Sequence, residues 1–145
     1  MTPRLHKCNE STIVGRLAKA EQFLEAAEII RELAADEGDV ADAYVTLCVH
    51  CGVAAADAIC CIALGQHVQG EDHNQAVVHL SKVRPDGATL GNSLRVLLGM
   101  KTRAGYSHEH IDAAGCKRAQ RAAERLLKVA RERRVSGGIR STSSP

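Results

Sequence analysis

Arg103 and His108 are the two side chains whose types and spacing best suit chemistry, and Tyr106 and Ser107 lie between them. Arginine stays charged at any physiological pH, whereas an unperturbed histidine titrates at about pH 6.5 and can both give and accept a proton. Cleavage of a phosphodiester needs one group that holds the phosphate oxygens and another that moves protons. The segment therefore predicts chemistry on a phosphodiester.

This pair can face one substrate only if the chain changes direction between its members. Residues five apart in a continuous α-helix point roughly 140° away from each other. Gly105 permits a helix to end between them, and Asp112 is a suitable N-cap for a new helix. The sequence thus predicts that Arg103 and His108 meet at a junction between the last two helices.

The composition of the 145-residue chain favours a single all-α domain. Apolar residues make up 45% of the chain but aromatic residues only 2%, so the core must consist of Ala, Leu, Val, Ile and Cys. Small side chains allow helix axes to approach closely, and alanine has the highest helix propensity. The three prolines interrupt none of the apolar repeats.

Apolar spacing and turn residues divide the chain into elements. Ser11 is the expected N-cap of the first helix, and the second helix is apolar nearly all round, so it should be the central one. We expect an up-and-down bundle of four to five helices in a domain of residues 1–134, followed by a disordered polar tail, residues 135–145. The predicted helices cover residues 11–37, 39–67, 72–83, 88–105 and 112–134, with a turn at residues 69–72.

Six cysteines raise the question of a disulfide or a metal site. The tempting segment is Cys48-Val49-His50-Cys51, but a zinc-binding pair needs a second pair of ligands, and the sequence has no matching CxxC or HxxxH. Free cysteines are often buried as small apolar residues. We therefore expect structural thiols in a reducing compartment, with no bound metal and no cofactor. The six are Cys8, Cys48, Cys51, Cys60, Cys61 and Cys116.

Asp57 and His50 are supporting candidates from the second helix. An isolated carboxylate on such an apolar helix needs a partner or an exposed edge. We expect both side chains to face inward, either as a buried polar pair or as groups at a dimer interface. An inward carboxylate can also orient an arginine or a histidine at the helix junction.

The sequence predicts neither a leader nor a membrane span. It has no run of about 18 uncharged apolar residues, and residues 1–9 form a short polar segment without a signal-peptide pattern. The apolar stretch at residues 43–67 contains Asp57 and His50, so a buried helix is the better interpretation. We expect a soluble cytoplasmic protein without a membrane partner.

Charge is distributed unevenly along the chain. Residues 10–42 contain nine acidic and three basic residues, whereas residues 117–140 contain nine basic and two acidic ones. One interpretation is that the two helices attract each other, within a subunit or between subunits. The other is that the basic helix meets the backbone of a nucleic acid. Few aromatic residues argue against a platform that stacks on bases.

An Arg-x4-His motif before the last helix of a bundle of this size resembles the HEPN family (higher eukaryotes and prokaryotes nucleotide-binding). Further segments are similar to stand-alone HEPN-like proteins of bacteria, and the resemblance covers about residues 10–133. These segments are residues 54–61 (AAADAICC), 70–73 (GEDH) and 98–106 (LGMKTRAGY).

The resemblance implies a homodimer in which two Arg-x4-His junctions line one cleft. Many members are metal-independent ribonucleases, and several are toxins restrained by a nucleotidyltransferase-like antitoxin. On this basis His108 would move protons at the ribose 2′-hydroxyl and the leaving oxygen, while Arg103 would hold the scissile phosphate of an RNA. The residues implied to contact the substrate are Lys101, Tyr106, Ser107 and His110.

Two departures from the family pattern leave a second function open. The catalytic form usually has a polar residue directly after the arginine, where this chain has Ala104, and toxin members often have a tyrosine where this chain has His110. The alternative is a non-catalytic HEPN-like dimer that binds a nucleic acid, a nucleotide or a protein. Arg103 and His108 would then have structural roles at a helix end and in a loop.

Overall fold

The computed structural model describes residues 4–69 and 73–143, with side chains through residue 137. In this part of the chain five helices dominate, and the predicted all-α bundle is confirmed. Two short strands and a 3-10 turn at Glu37–Val40 complete the structure. The elements are β1 (Leu5–Lys7), α1 (Glu10–Leu33), α2 (Ala41–Leu64), β2 (Gln66–Val68), α3 (His73–Ser81), α4 (Gly87–Gly105) and α5 (Ala113–Ser143).

Contacts between α1 and α2 show that these two helices run antiparallel. Arg16, near the start of α1, pairs with Asp57 near the end of α2, and the Nη2–Oδ2 distance is 2.9 Å. At the other end, the guanidinium of Arg31 donates to the hydroxyl of Tyr44 and lies over its ring, 4.7 Å from the centroid. A short connection joins the two helices, as in an up-and-down bundle.

The remaining long helices continue the alternation. Gly52 of α2 lies against Leu97 of α4, and the side chain of Thr46 approaches Gly105, so these helices are antiparallel. Arg125 of α5 donates to the hydroxyl of Ser93 of α4 at 3.2 Å, which makes α4 and α5 antiparallel as well. The short α3 packs mainly on α4.

As predicted, α2 is the central helix. Its residues are buried on most sides, and it contacts α1, α4 and α5. Residues 37–64 are also long and apolar enough to cross a membrane: an 18-residue window within them has a mean hydropathy of 2.0, but 61% of that window is buried inside the protein. Such burial is compatible with the core helix of a soluble protein. The fully buried side chains of α2 include Val45, Cys48, Cys51, Ala54, Ala55, Ala58 and Ile59.

The ends of the first two helices differ from the predicted ones. Asn9, not Ser11, caps α1, because its side chain accepts from the amide of Thr12 and completes a capping box. The helix ends at Leu33, before the predicted end at residue 37, because Ala34 takes an extended backbone conformation. The second helix ends at Leu64, because Gly65 adopts a left-handed conformation with φ 74°.

An antiparallel strand pair, which the sequence did not predict, joins the chain before α1 to the chain after α2. Leu5 pairs with Val68 and His6 with His67. Strands of three residues are too short to show a clear alternation of apolar and polar residues. Most of the predicted turn at residues 69–72 and the predicted cap at Asp72 lie outside the described residues.

The expectation that all six cysteines are free thiols is wrong. Cys8, next to β1, forms a disulfide with Cys61 in the last turn of α2. Their separation of 53 residues carries no signal in the sequence, and they meet because the strands draw the two segments together. The other four cysteines are free.

The segment predicted to be a disordered tail is helical up to Ser143, since α5 continues without a break past Arg134. Glycine and serine lower helix propensity, but extending an existing helix requires no new nucleus. Gly137 faces the side chain of Ile62 in α2. The helix is therefore longer than the composition of its end suggests.

Two glycines of α4 provide a matched test of this packing. A Cβ atom on Gly87 would overlap the carbonyl oxygen of Ser81, whereas Gly99 has no neighbouring atom within 4 Å of that position. We expect Gly87→Ala to lower the free energy of unfolding by about 1–3 kcal/mol through overpacking. Gly99→Ala should raise it by up to about 1 kcal/mol through helix propensity. Urea unfolding of both variants measures the difference, and equal effects would contradict the close contact between α3 and α4.

Candidate nucleic-acid interface

The backbone reverses between α4 and α5 as the sequence predicted. The carbonyl oxygen of Thr102 accepts from the amides of both Tyr106 and Ser107, at 2.8 and 2.9 Å, so α4 ends at Gly105. Asp112 caps α5, because its carboxylate accepts from the amide of Gly115 at 2.7 Å. The predicted glycine stop and the predicted aspartate cap are therefore confirmed.

Asp42 attaches this junction to the start of α2. One carboxylate oxygen accepts from the amide of Ile111 at 2.8 Å, and the other lies 2.6 Å from Nδ1 of His110. Burial alone would raise the pKa of Asp42, but the hydrogen bonds from His110 and from the Ile111 amide lower it below the ordinary value. The N-cap of α2 is Val40, which makes no side-chain cap, and the carboxylate of Asp42 in the first turn of the helix binds the junction.

A cleft of about 440 Å³ lies at the junction and contains Arg103, Ser107 and Arg118. Glu109 and Asp112 also line it, so its charge is mixed. Nη2 of Arg103 is 3.6 Å from the carboxylate of Glu109, and both side chains are more than half exposed. An exposed pair of this kind contributes about 0–1 kcal/mol, so a phosphate can compete with Glu109 for the guanidinium.

His108 is exposed and does not line this cleft. Within the described residues no hydrogen bond or ion pair holds its imidazole. The structure thus brings Arg103 and Ser107 to one cleft, with His108 on the adjoining surface. Among the described residues of one chain, no group orients the imidazole for proton transfer.

The other residues implied to contact the substrate lie elsewhere. Lys101 and Tyr106 line a separate cleft of about 150 Å³ together with His50. The amino group of Lys101 lies 2.9 Å from Nε2 of His73, and Tyr106 is 79% exposed. His110 is bound to Asp42. The residues implied to contact the substrate therefore do not form one site: Ser107 lines the junction cleft, Lys101 and Tyr106 line another cleft, and His110 makes a structural contact.

The expectation that His50 faces inward in a buried pair with Asp57 is wrong, while a place at a dimer interface stays a prediction. His50 is exposed, and its ring lies 5.3 Å from that of Phe23. Asp57 pairs with Arg16 and lies 3.9 Å from Nδ1 of His67. Burial raises the pKa of Asp57, although Arg16 and His67 favour its charged form. Residues seven apart on a helix share a face. Here, however, each of the two side chains contacts a different residue of α1, so they do not contact each other.

Four exposed cations of α5 form a stripe that we call the basic face, together with Arg103 of α4. The α5 residues follow one another at spacings of three, four and three, which places them on one side of the helix. The bond from Arg125 to Ser93 holds this side next to α4, and Arg103 and Arg118 share the junction cleft. The basic face consists of Arg103, Arg118, Arg121, Arg125 and Lys128.

Other cations of α5 are neutralised by α1. Arg131 pairs with Glu21 at 3.1 Å, and Arg134 pairs with Glu10. The predicted attraction between the acidic and basic helices therefore occurs within one subunit. The sequence showed an excess of positive charge, but only the contacts reveal which part of it α1 neutralises.

The CxxC pair, Cys48 and Cys51, lies deep in α2. Burial raises the pKa of Cys48 and of Cys51 to about 12 in each case. Both therefore remain protonated thiols at neutral pH, and the thiolate is the form that binds metals and attacks electrophiles. Their surroundings fit a packing role.

No protein-family model matches this chain, and neither a curated protein nor a solved structure matches it. The resemblance to the HEPN family stays an expectation from the sequence.

Removal of the Asp42 charge tests how the junction is held. Because folding lowers the pKa of Asp42, its stabilising effect is present above the unfolded value of 3.8 and disappears as the pH falls through the folded value. We expect Asp42→Asn to lower the free energy of unfolding by about 1 kcal/mol at pH 7, and the difference from the original chain to vanish in strong acid.

Urea titrations at pH 7 and below pH 3 measure this effect. Asp39→Asn is the matched control, because Asp39 is exposed and its side chain makes no hydrogen bond or ion pair within the described residues. A pH-independent loss in Asp42→Asn would show that the carboxylate charge is not what holds the junction.

Proposed function

We propose that this protein is a HEPN-like RNA-binding module that holds the RNA backbone on the basic face of α4 and α5. The observation that carries the proposal is the stripe of exposed cations at Arg118, Arg121, Arg125 and Lys128. At a rise of about 1.5 Å per residue the stripe is about 15 Å long, enough to meet several successive phosphates.

The composition of the basic face favours contact with phosphates over contact with bases. Arginine binds phosphate oxygens with two parallel hydrogen bonds, and four of the five cations are arginines. No aromatic side chain belongs to this set, so stacking on bases has no platform there. We therefore expect binding with little sequence preference and a strong dependence on salt. RNA as the target follows from the family resemblance.

The salt dependence of binding gives a quantitative test. Neutralising two phosphate contacts should reduce the slope of log affinity against log salt by about 1.4 for a single-stranded RNA. We expect the double variant Arg121→Gln/Lys128→Gln to show this reduction and a weaker affinity for a fluorescent oligonucleotide at every salt concentration. Fluorescence anisotropy at several salt concentrations measures both quantities.

The matched control removes the same charge from other surfaces. Arg131 is paired with Glu21, and Lys19 lies exposed on α1. Lys19→Gln/Arg131→Gln should leave the slope unchanged, since neither residue belongs to the basic face. If both double variants lose affinity equally, net charge and not the basic face controls binding, and the proposal fails.

Ribonuclease activity is a second candidate, favoured by the reversal of the chain after Gly105. In this proposal Arg103 holds the scissile phosphate, and His108 transfers protons at the 2′-hydroxyl and the leaving oxygen. A homodimer would bring two such junctions to one cleft and supply a second histidine. A nucleotidyltransferase-like antitoxin would then be the partner that restrains the activity.

Cleavage of mixed RNA in EDTA tests this second candidate. We expect the unmodified chain to cleave RNA without a divalent metal, and His108→Ala to lose at least about 100-fold in rate because proton transfer supplies that much. His6→Ala is the matched control and should keep the full rate, since His6 is exposed in β1 and belongs to no part of the junction. Equal rates for the unmodified chain and His108→Ala would assign any cleavage to a contaminant and remove the enzymatic proposal.

A further inference from the structure

Three side chains with metal-binding atoms converge away from the basic face, at the end of α2. Cys8 follows β1, Cys61 lies in the last turn of α2, and His67 is the middle residue of β2. Their ligand atoms all lie within 4.8 Å of one another. Within the described residues this is the one group of three that is close enough to hold a single ion.

The backbone holds this cluster together independently of the disulfide. The amide of Cys8 donates to the carbonyl of Gly65 at 3.0 Å, and the amide of Gln69 donates to the carbonyl of Arg4 at 2.7 Å. The strand register places His67 opposite His6, two residues from Cys8. The side chains would therefore stay near one another if the bond between the sulfurs were reduced.

The imidazole of His67 has the environment of a metal-binding histidine. Its Nδ1 lies 3.2 Å from the carbonyl oxygen of Val68 and 3.9 Å from the carboxylate of Asp57. A metal-bound histidine usually donates its other ring nitrogen to a carbonyl or a carboxylate, which fixes the ring. Because Nδ1 has these partners, Nε2 is the atom that would bind an ion.

We propose that the reduced chain binds one zinc ion, or a similar thiophilic divalent cation, through Cys8, Cys61 and His67. Zinc–sulfur bonds of about 2.3 Å in a tetrahedron place the ligand atoms about 3.8 Å apart, a spacing that the cluster reaches once the sulfurs separate. The three protein ligands leave a fourth position for water.

The disulfide and the ion exclude each other. A dithiol that reduces the bond between Cys8 and Cys61 supplies two electrons and two protons and itself becomes a disulfide. Binding of the ion to the two thiols then releases both protons, because the thiolate is the ligand. The oxidised chain has no thiolate at this position and should not bind the ion here.

A cobalt titration of the full chain tests the site. Co²⁺ replaces zinc in tetrahedral sites and gives visible bands together with a thiolate-to-cobalt charge-transfer band. After reduction with a phosphine in the absence of oxygen, we expect one Co²⁺ per chain, displaced by one Zn²⁺. The oxidised chain should give no charge-transfer band.

Variants separate this site from the other cysteines and histidines. Cys8→Ala and His67→Ala should each weaken binding at least tenfold, whereas Cys116→Ala and His50→Ala should leave it unchanged, since both residues lie elsewhere. Circular dichroism of each variant verifies that it is folded. Absence of binding to the reduced chain, or equal binding by His67→Ala and His50→Ala, would overturn the proposal. These results are independent of RNA binding, because no residue of the basic face takes part.

Discussion

Close packing against α2 is the constraint on which the rest of this structure depends. The side chains that α2 presents to its neighbours are mostly Ala, Cys and Val, and Gly52 lies directly against Leu97. With so few aromatic residues, the core gains its apolar burial from many small contacts at short distances between helix axes. A larger side chain at one of these buried positions would therefore displace a whole neighbouring helix and the residues that it carries.

Both ends of α2 are used to attach other parts of the chain. At its start, Asp42 binds the segment between α4 and α5 through His110 and Ile111. At its end, Cys61 and the strand after Gly65 bind the segment before α1. The two candidate sites thus owe their geometry to one buried helix, although their residues come from distant parts of the sequence.

The helices and the reversal after Gly105 were predictable because they depend on local signals. Apolar spacing identified α2 as central, and Gly105 and Asp112 marked the stop and the restart through their own backbone preferences. The HEPN assignment, RNA binding, catalysis and the homodimer stay predictions. By contrast, the pairing of Cys8 with Cys61 depends on contacts between segments 53 residues apart, and no local pattern reports such a contact.

The two polar residues of α2 whose contacts were predicted wrongly show a second limit of sequence patterns. His50 and Asp57 share one face of α2 by periodicity, yet Phe23 contacts one and Arg16 pairs with the other. The same limit applies to α5, where the excess of cations was visible in the sequence. Which cations are neutralised depends on Glu10 and Glu21, and the sequence alone does not reveal that α1 lies against only one side of α5.

The length of α2 determines how the two candidate sites can influence each other. Asp42 and Cys61 are 19 residues apart in one helix, which corresponds to about 29 Å. Coupling over that distance needs an element with two discrete arrangements. A helix buried on most sides by small side chains has no room for a second arrangement without opening cavities, which are costly in a close-packed core. We therefore infer that the oxidation state of Cys8 and Cys61 acts locally, on the strand pair and the end of α2, and leaves the basic face unchanged.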